Sequence, residues 1–184
     1  YEIREIISKE EINVYTLRPP YWNTEFIKTQ DFLFEDECVN VDFAILDHKT
    51  DSIAYLFKEK DTITFHEEAS GFRKGKWISE LKIAFENNDP DQQIEIEDTI
   101  YKAAELFHLL TKNQGYKLGV IMDHAVDERN YEKMRTVFTE ADKVYIETFY
   151  KDLDQEFAKL NYHSFASASG KIMNECKVKE AVPI

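Results

Sequence analysis

The chain has 184 residues, 43% of them hydrophobic, and a formal net charge of -13. That length supports one sizeable core and is short for two domains. The acid surplus repels phosphate backbones at long range, which argues against a binder that holds nucleic acid by bulk charge alone. Two distant cysteines, Cys38 and Cys176, offer neither a disulfide framework nor a cysteine metal site. With no apolar run near the roughly 20 residues of a membrane span and no signal-peptide layout, the expectation is a reducing, cytoplasmic setting and no membrane partner.

In chain order, Tyr1 to Glu11 is charged and mildly helical in pattern, and Asn13 to Leu17 reads as a strand stopped by Pro19-Pro20. Tyr21, Trp22, Phe26, Phe32 and Phe34 form an aromatic-rich stretch, either a stacking platform or core packing. Asn40 to Leu46 sets Val41, Phe43 and Ile45 against Asn40, Asp42 and Ala44, a strand with one buried face. His48 opens a polar connection to strands over Ile53 to Lys58 and Thr62 to His66, a meander. Gly75 to Phe85 then takes helical spacing and stops at Asn87-Asn88-Asp89-Pro90, Ile94 and Ile96 mark a short strand, and Tyr101 to Thr111 reads as an amphipathic helix ended by Gln114-Gly115. His108 in that segment reads as a surface or packing residue.

The later part carries the candidate chemistry. Leu118 to Met122 is an apolar run, read as a buried strand that delivers Asp123 and His124 at its C-terminal end, where α/β sheets place functional groups. A helix from about Asn130 to Phe138 leads to a second strand, Lys143 to Ile146, with Glu147 at its end. These two strands are expected to be parallel neighbours, because the helix between them must cross back over the sheet. Asp152 and Gln155 have capping-box spacing, so a short helix should run to about Tyr162, with His163 in the joint before a helix opening near Ser164. Ala181 to Ile184 reads as the start of a buried strand. Strands come first, then helix and strand alternate, which describes one layered α/β domain without internal repeats.

His48, Asp123, Glu147 and His163 together offer two imidazoles and two carboxylates, a donor mixture suited to zinc or a similar divalent ion, although none shows short-range ligand spacing. His124 reads as an exposed loop histidine. The segments VNVDFAILDHKTDSIAYLFKEKD, GVIMDHA and ADKVYIETFYKDLDQEFAKLNYHSFASASGKI resemble, in order and spacing, the later half of a ribonuclease Z-like protein of the metallo-β-lactamase fold. GFRKGKWISELKIAF is similar to that family's Pro-Gly-Pro-Trp segment, with Lys76 where the second Pro is usual. The resemblance implies an incomplete αββα sandwich, a single partial domain over residues 1-184. It also implies that the His-x-His-x-Asp-His motif and a C-terminal metal histidine lie outside this chain.

The same resemblance implies metal ligation by His48 and Asp123, with Asp123 bridging two zinc ions (manganese being the alternative), and a proton relay in which Glu147 holds His163. The implied activity is phosphodiester hydrolysis by a two-metal-activated hydroxide, as in tRNA 3'-processing endonucleases, with the present chain inactive on its own and its open apolar face favouring a homodimer. Two departures, His124 for the usual Thr and Phe165 for the Thr after His-Ser, bear on the hydrogen bonding around His163. Within the fold, a small ester, sulfate ester or cyclic phosphodiester competes with RNA as substrate. An acidic, non-catalytic binding protein is the alternative of another class, opposed by lysines and arginines interspersed among the acids.

Overall fold

The computed structural model describes residues 1–30 and 33–184. They form two compact units, Tyr1–Lys60 with Tyr116–Ile184, and Asp61–Gly115. The first unit opens with strands β1 (Glu2–Ile6), β2 (Ile12–Arg18) and β3 (Asn23–Gln30), which make a three-stranded antiparallel sheet. The helical pattern expected over Tyr1 to Glu11 is overridden by pairing. Glu2 to Ile6 lies opposite Thr16 to Ile12, and Ile12 and Val14 are buried while β3 is almost wholly exposed. Of the aromatic stretch, Tyr21, Trp22 and Phe26 are exposed, and Phe32 lies outside the described residues.

Strands β4 (Phe34–Glu35), β5 (Val39–His48) and β6 (Thr50–Glu59) follow, β5 and β6 joined by a tight turn at Lys49, whose φ of 64° is left-handed. In β5 the buried set begins as expected with Val41 and Phe43. It then shifts to Ala44 and Leu46, leaving Ile45 half-exposed, because this end of the strand is covered by the main core.

The second unit comprises β7 (Thr62–Phe65), α1 (Glu67–Ser70), α2 (Trp77–Glu86), β8 (Gln93–Ile96), β9 (Thr99–Lys102), α3 (Ala103–Leu106) and β10 (Leu110–Asn113). Trp77, Leu81, Ala84, Ile94, Ile96, Leu106 and Leu109 form its own core. The helix expected over Tyr101 to Thr111 is not continuous. Tyr101 belongs to the β8–β9 hairpin, the helix lasts only through Leu106 before a short 3-10 turn, and Leu110 to Asn113 pairs antiparallel with Phe65 to Thr62. Adjacent Leu109 and Leu110 are both buried, a pattern that a strand entry accommodates better than one helix face.

Returning to the first unit, β11 (Lys117–Ile121), α4 (Glu128–Phe138), β12 (Lys143–Ile146), α5 (Gln155–Leu160), α6 (Ala166–Glu175) and β13 (Glu180–Pro183) complete a six-stranded sheet of order β13-β12-β11-β6-β5-β4. Its β11, β12 and β13 strands are parallel, and the remaining pairs are antiparallel. The strand expected to be buried at the C-terminus is instead the exposed sheet edge, half-buried only at Val182. Met134 and Phe138 of α4 and Ile172 and Met173 of α6 pack on Leu56, Ile121, Val144 and Ile146 to make the principal core. The chain is thus a mixed α/β protein with strands and helices in layers.

Gly119 explains how closely α4 approaches the sheet. A Cβ there would lie 2.9 Å from both Phe138 Cδ1 and Val144 Cγ2. Gly119→Ala is therefore expected to destabilise the protein by about 1–3 kcal/mol through overpacking, read as a lower denaturation midpoint with an unchanged slope. At the opposite end of the same strands, Asp142 accepts from the Lys117 amide at 2.7 Å and from Lys179 Nζ at 2.6 Å. The Lys179 ammonium and that amide hold the Asp142 carboxyl below its usual range. The folded value is the depressed one, so the stabilisation is present above the ordinary aspartate pKa and is lost as the pH falls through the lowered value. Asp142→Asn should narrow the stability difference between neutral and acid pH, as measured by denaturant midpoints across pH 2 to 7 (order of magnitude set by a carboxylate titration).

Candidate active site

Strand direction places the site. Strand β5 runs antiparallel to β6 and β6 antiparallel to β11, so β5, β11 and β12 all point the same way. Their C-terminal ends share one sheet edge, and there the chain puts His48, Asp123 and Glu147. The expected parallel pairing of the Leu118 and Lys143 strands is present, with Gly119 opposite Val144 and the Glu147 amide donating to Ile121 O at 2.8 Å. His163 enters from the joint between α5 and α6, its amide donating to Ala158 O at 2.9 Å.

Among the described residues, His48, Asp123 and His163 bring their potential ligand atoms within 4.8 Å of one another. Two donors on one zinc are at most roughly 4.2 Å apart, given metal–nitrogen bonds of about 2.1 Å. The Asp123 side chain is 54% exposed, and the spacing suits sharing between neighbouring ions. Two imidazoles and a carboxylate fit a borderline divalent cation. His48 Nδ1 is bonded to Tyr162 O at 2.7 Å, a contact that fixes its tautomer and leaves Nε2 as the ligating nitrogen.

Behind this set stands Glu147, 6% exposed, whose Oε1 makes a close hydrogen bond to His163 Nδ1. Asp123 Oδ1 lies 3.8 Å from the same nitrogen. Ser169 Oγ donates to Glu147 O at 2.9 Å and meets Ser164 Oγ at 2.6 Å, both serines being buried, so the residue that grips His163 is itself gripped. The structure therefore places His163 both against Glu147, as expected of a relay, and among the potential ligands, which the sequence reading did not assign to it.

His124 departs from expectation. It is not an exposed loop residue but 0% exposed, and its backbone N–H and Nδ1 lie 3.3 and 3.4 Å from Glu147 Oε2 while Nδ1 bonds Met122 O at 2.8 Å. Burial pushes its pKa down, which favours the neutral imidazole. The physical reason is the turn after β11, which folds the side chain under the strand ends instead of outward.

Asn130 was not singled out by sequence reasoning, yet it ties the edge together. Fully buried, it accepts from the Asp47 amide at 2.8 Å and donates from Nδ2 to Asp47 O at 3.0 Å and to Ala125 O at 2.9 Å. The residue before His48 is thereby joined to the loop that carries Asp123. The available signal was a polar residue three positions after the helix-capping Asp127, whose side chain accepts from the Asn130 amide at 2.8 Å. Asn130→Ala should cost about 2–3 kcal/mol, because it leaves the Asp47 amide without its buried partner. It should also weaken divalent-ion affinity, read by calorimetric titration of the folded variant.

Histidine and carboxylate side chains thus gather at the strand ends of a mixed α/β sheet. The chain is similar to ribonuclease Z of Borrelia recurrentis (strain A1), 28% identical over 155 residues, a match covering 82% of this chain and 44% of that protein. It thus spans less than half the length of the curated relative it matches. The crystal structure of human tRNase Z, short form, is similar at a TM-score of 0.48 and 16% identity, covering 83% of this chain and 37% of that one. No family model matches the chain.

Proposed function

We propose that this chain is the later part of a metallo-β-lactamase-like domain and contributes half of the active site of a metal-dependent, ribonuclease Z-like phosphodiesterase. The observation that carries the reading is the convergence of His48, Asp123 and His163 within 4.8 Å, with Glu147 bonded behind His163. The 28% identity to a ribonuclease Z supports the same choice of chemistry.

His48 through Nε2 and Asp123 through its carboxylate would hold zinc or manganese. When bound, such ions supply Lewis-acid polarisation of the phosphoryl group and a water of lowered pKa. Glu147 accepts the Nδ1–H of His163 and stabilises the imidazolium, so that Nε2–H is the proton donor to the departing oxygen. Glu147 can do this because it is buried, held by Ser169 and by the His124 amide, and shielded from competing water. Tyr162 serves both histidines: it immediately precedes His163, and its carbonyl orients His48.

The presence of His163 within the ligand cluster favours a second assignment, in which its Nε2 ligates metal and carries no proton. Leaving-group dependence separates the two. In the full-length protein with added zinc or manganese, Asp123→Ala is expected to abolish phosphodiester hydrolysis. His163→Ala should lose roughly 100- to 10,000-fold on an alkoxide-leaving RNA substrate and far less on bis(p-nitrophenyl) phosphate, whose leaving group needs no proton. Equal losses on both substrates would identify His163 as a ligand, and an unaffected Asp123→Ala enzyme would place the chemistry elsewhere.

A further inference from the structure

We propose that Phe149 is a stacking platform for the nucleobase of the nucleotide that carries the leaving oxygen. This rests on the phosphodiesterase reading above and extends it to the part of the substrate beside the reacting phosphate.

Phe149 lies two residues after Glu147, and its ring is stacked on the His163 imidazole, with centroids 4.8 Å apart and an interplanar angle of 20°. Tyr150 meets it edge-on at 5.0 Å and so holds its tilt. Despite these contacts Phe149 is 67% exposed. Within this chain a ring so open buries little apolar area. Leu153, Phe157 and Leu160, further along the same segment, are likewise 95%, 63% and 70% exposed.

Charge points to the same occupant chemistry. A chain of net charge -13 gains nothing from long-range attraction to a polyanion. Stacking of a base on an aromatic ring does not depend on net charge and is worth about 1–3 kcal/mol per base. The ring stands against the very imidazole assigned to protonate the leaving oxygen, so the base within reach is that of the leaving nucleoside. Every base presents a π-face, so the platform reads the presence of a base and not its identity.

The test uses the full-length protein and two RNA oligonucleotides that differ only in having a base or an abasic site at the leaving nucleoside. Binding is measured by fluorescence anisotropy in the Asp123→Ala background, so that turnover does not interfere. Removing the base should weaken binding by about 5- to 150-fold, the equivalent of 1–3 kcal/mol. Phe149→Trp should keep that ratio, whereas Phe149→Leu should bring it close to one while binding the abasic oligonucleotide as before. A ratio that persists in Phe149→Leu, or that is absent with Phe149 intact, overturns the proposal. So does a Phe149→Leu enzyme whose only loss is on small aryl or acyl esters, because the ring would then serve an apolar substrate. RNA cleavage without a base-dependent ratio removes the platform alone. A Phe149-dependent ratio without any RNA cleavage leaves the platform standing and removes the hydrolase reading.

Discussion

The shared direction of β5, β11 and β12 is the constraint on which the site depends. Two successive antiparallel pairings, β5 with β6 and β6 with β11, restore strand direction, and the α4 crossover then brings β12 in parallel. Had β6 been missing or doubled, His48 would sit at the far end of the sheet from Asp123. Close packing maintains the arrangement: Gly119 lets Phe138 settle on β11, and the Asn130 amide locks the end of β5 to the loop after β11. The functional edge thus inherits its geometry from backbone hydrogen bonds and a dense apolar layer, which are stiffer than loops alone.

The electrostatics of that edge are graded. Asp123 is open to solvent, His163 is partly covered, and Glu147 and His124 are buried. A carboxylate taken out of water needs hydrogen bonds, and Glu147 has them from the His163 ring and the His124 amide. The neutral His124 fills the space beneath it without adding a charge, while its Nε2 is buried without a hydrogen-bond partner among the described residues. In the proposed site the exposed groups would meet a cation or a substrate, and the buried ones would orient them.

Much of this edge was legible in the sequence because His48, Asp123 and Glu147 each stand at the end of a short, largely apolar strand. Leu118 to Met122 and Lys143 to Ile146 could be read as strands from hydrophobicity alone, and their parallel pairing followed from the helix between them. Elements whose identity depends on distant partners were not legible. Glu2 to Ile6 is a strand only because β2 lies beside it, and Leu110 to Asn113 leaves the helical pattern only because β7 is there to pair with. The burial of His124 and the bridging role of Asn130 depend on how a loop folds under the sheet, which spacing does not encode. The 4.8 Å cluster itself joins residues from three separate segments, which donor chemistry grouped beforehand and to which the family resemblance gave roles.

The central claim is that these converged side chains hold a divalent ion. Anomalous X-ray scattering at the zinc edge, on crystals of the full-length protein grown with zinc, tests it most directly. The account expects an anomalous peak directly ligated by His48 and Asp123. A peak away from both residues, or none under zinc saturation, would contradict it.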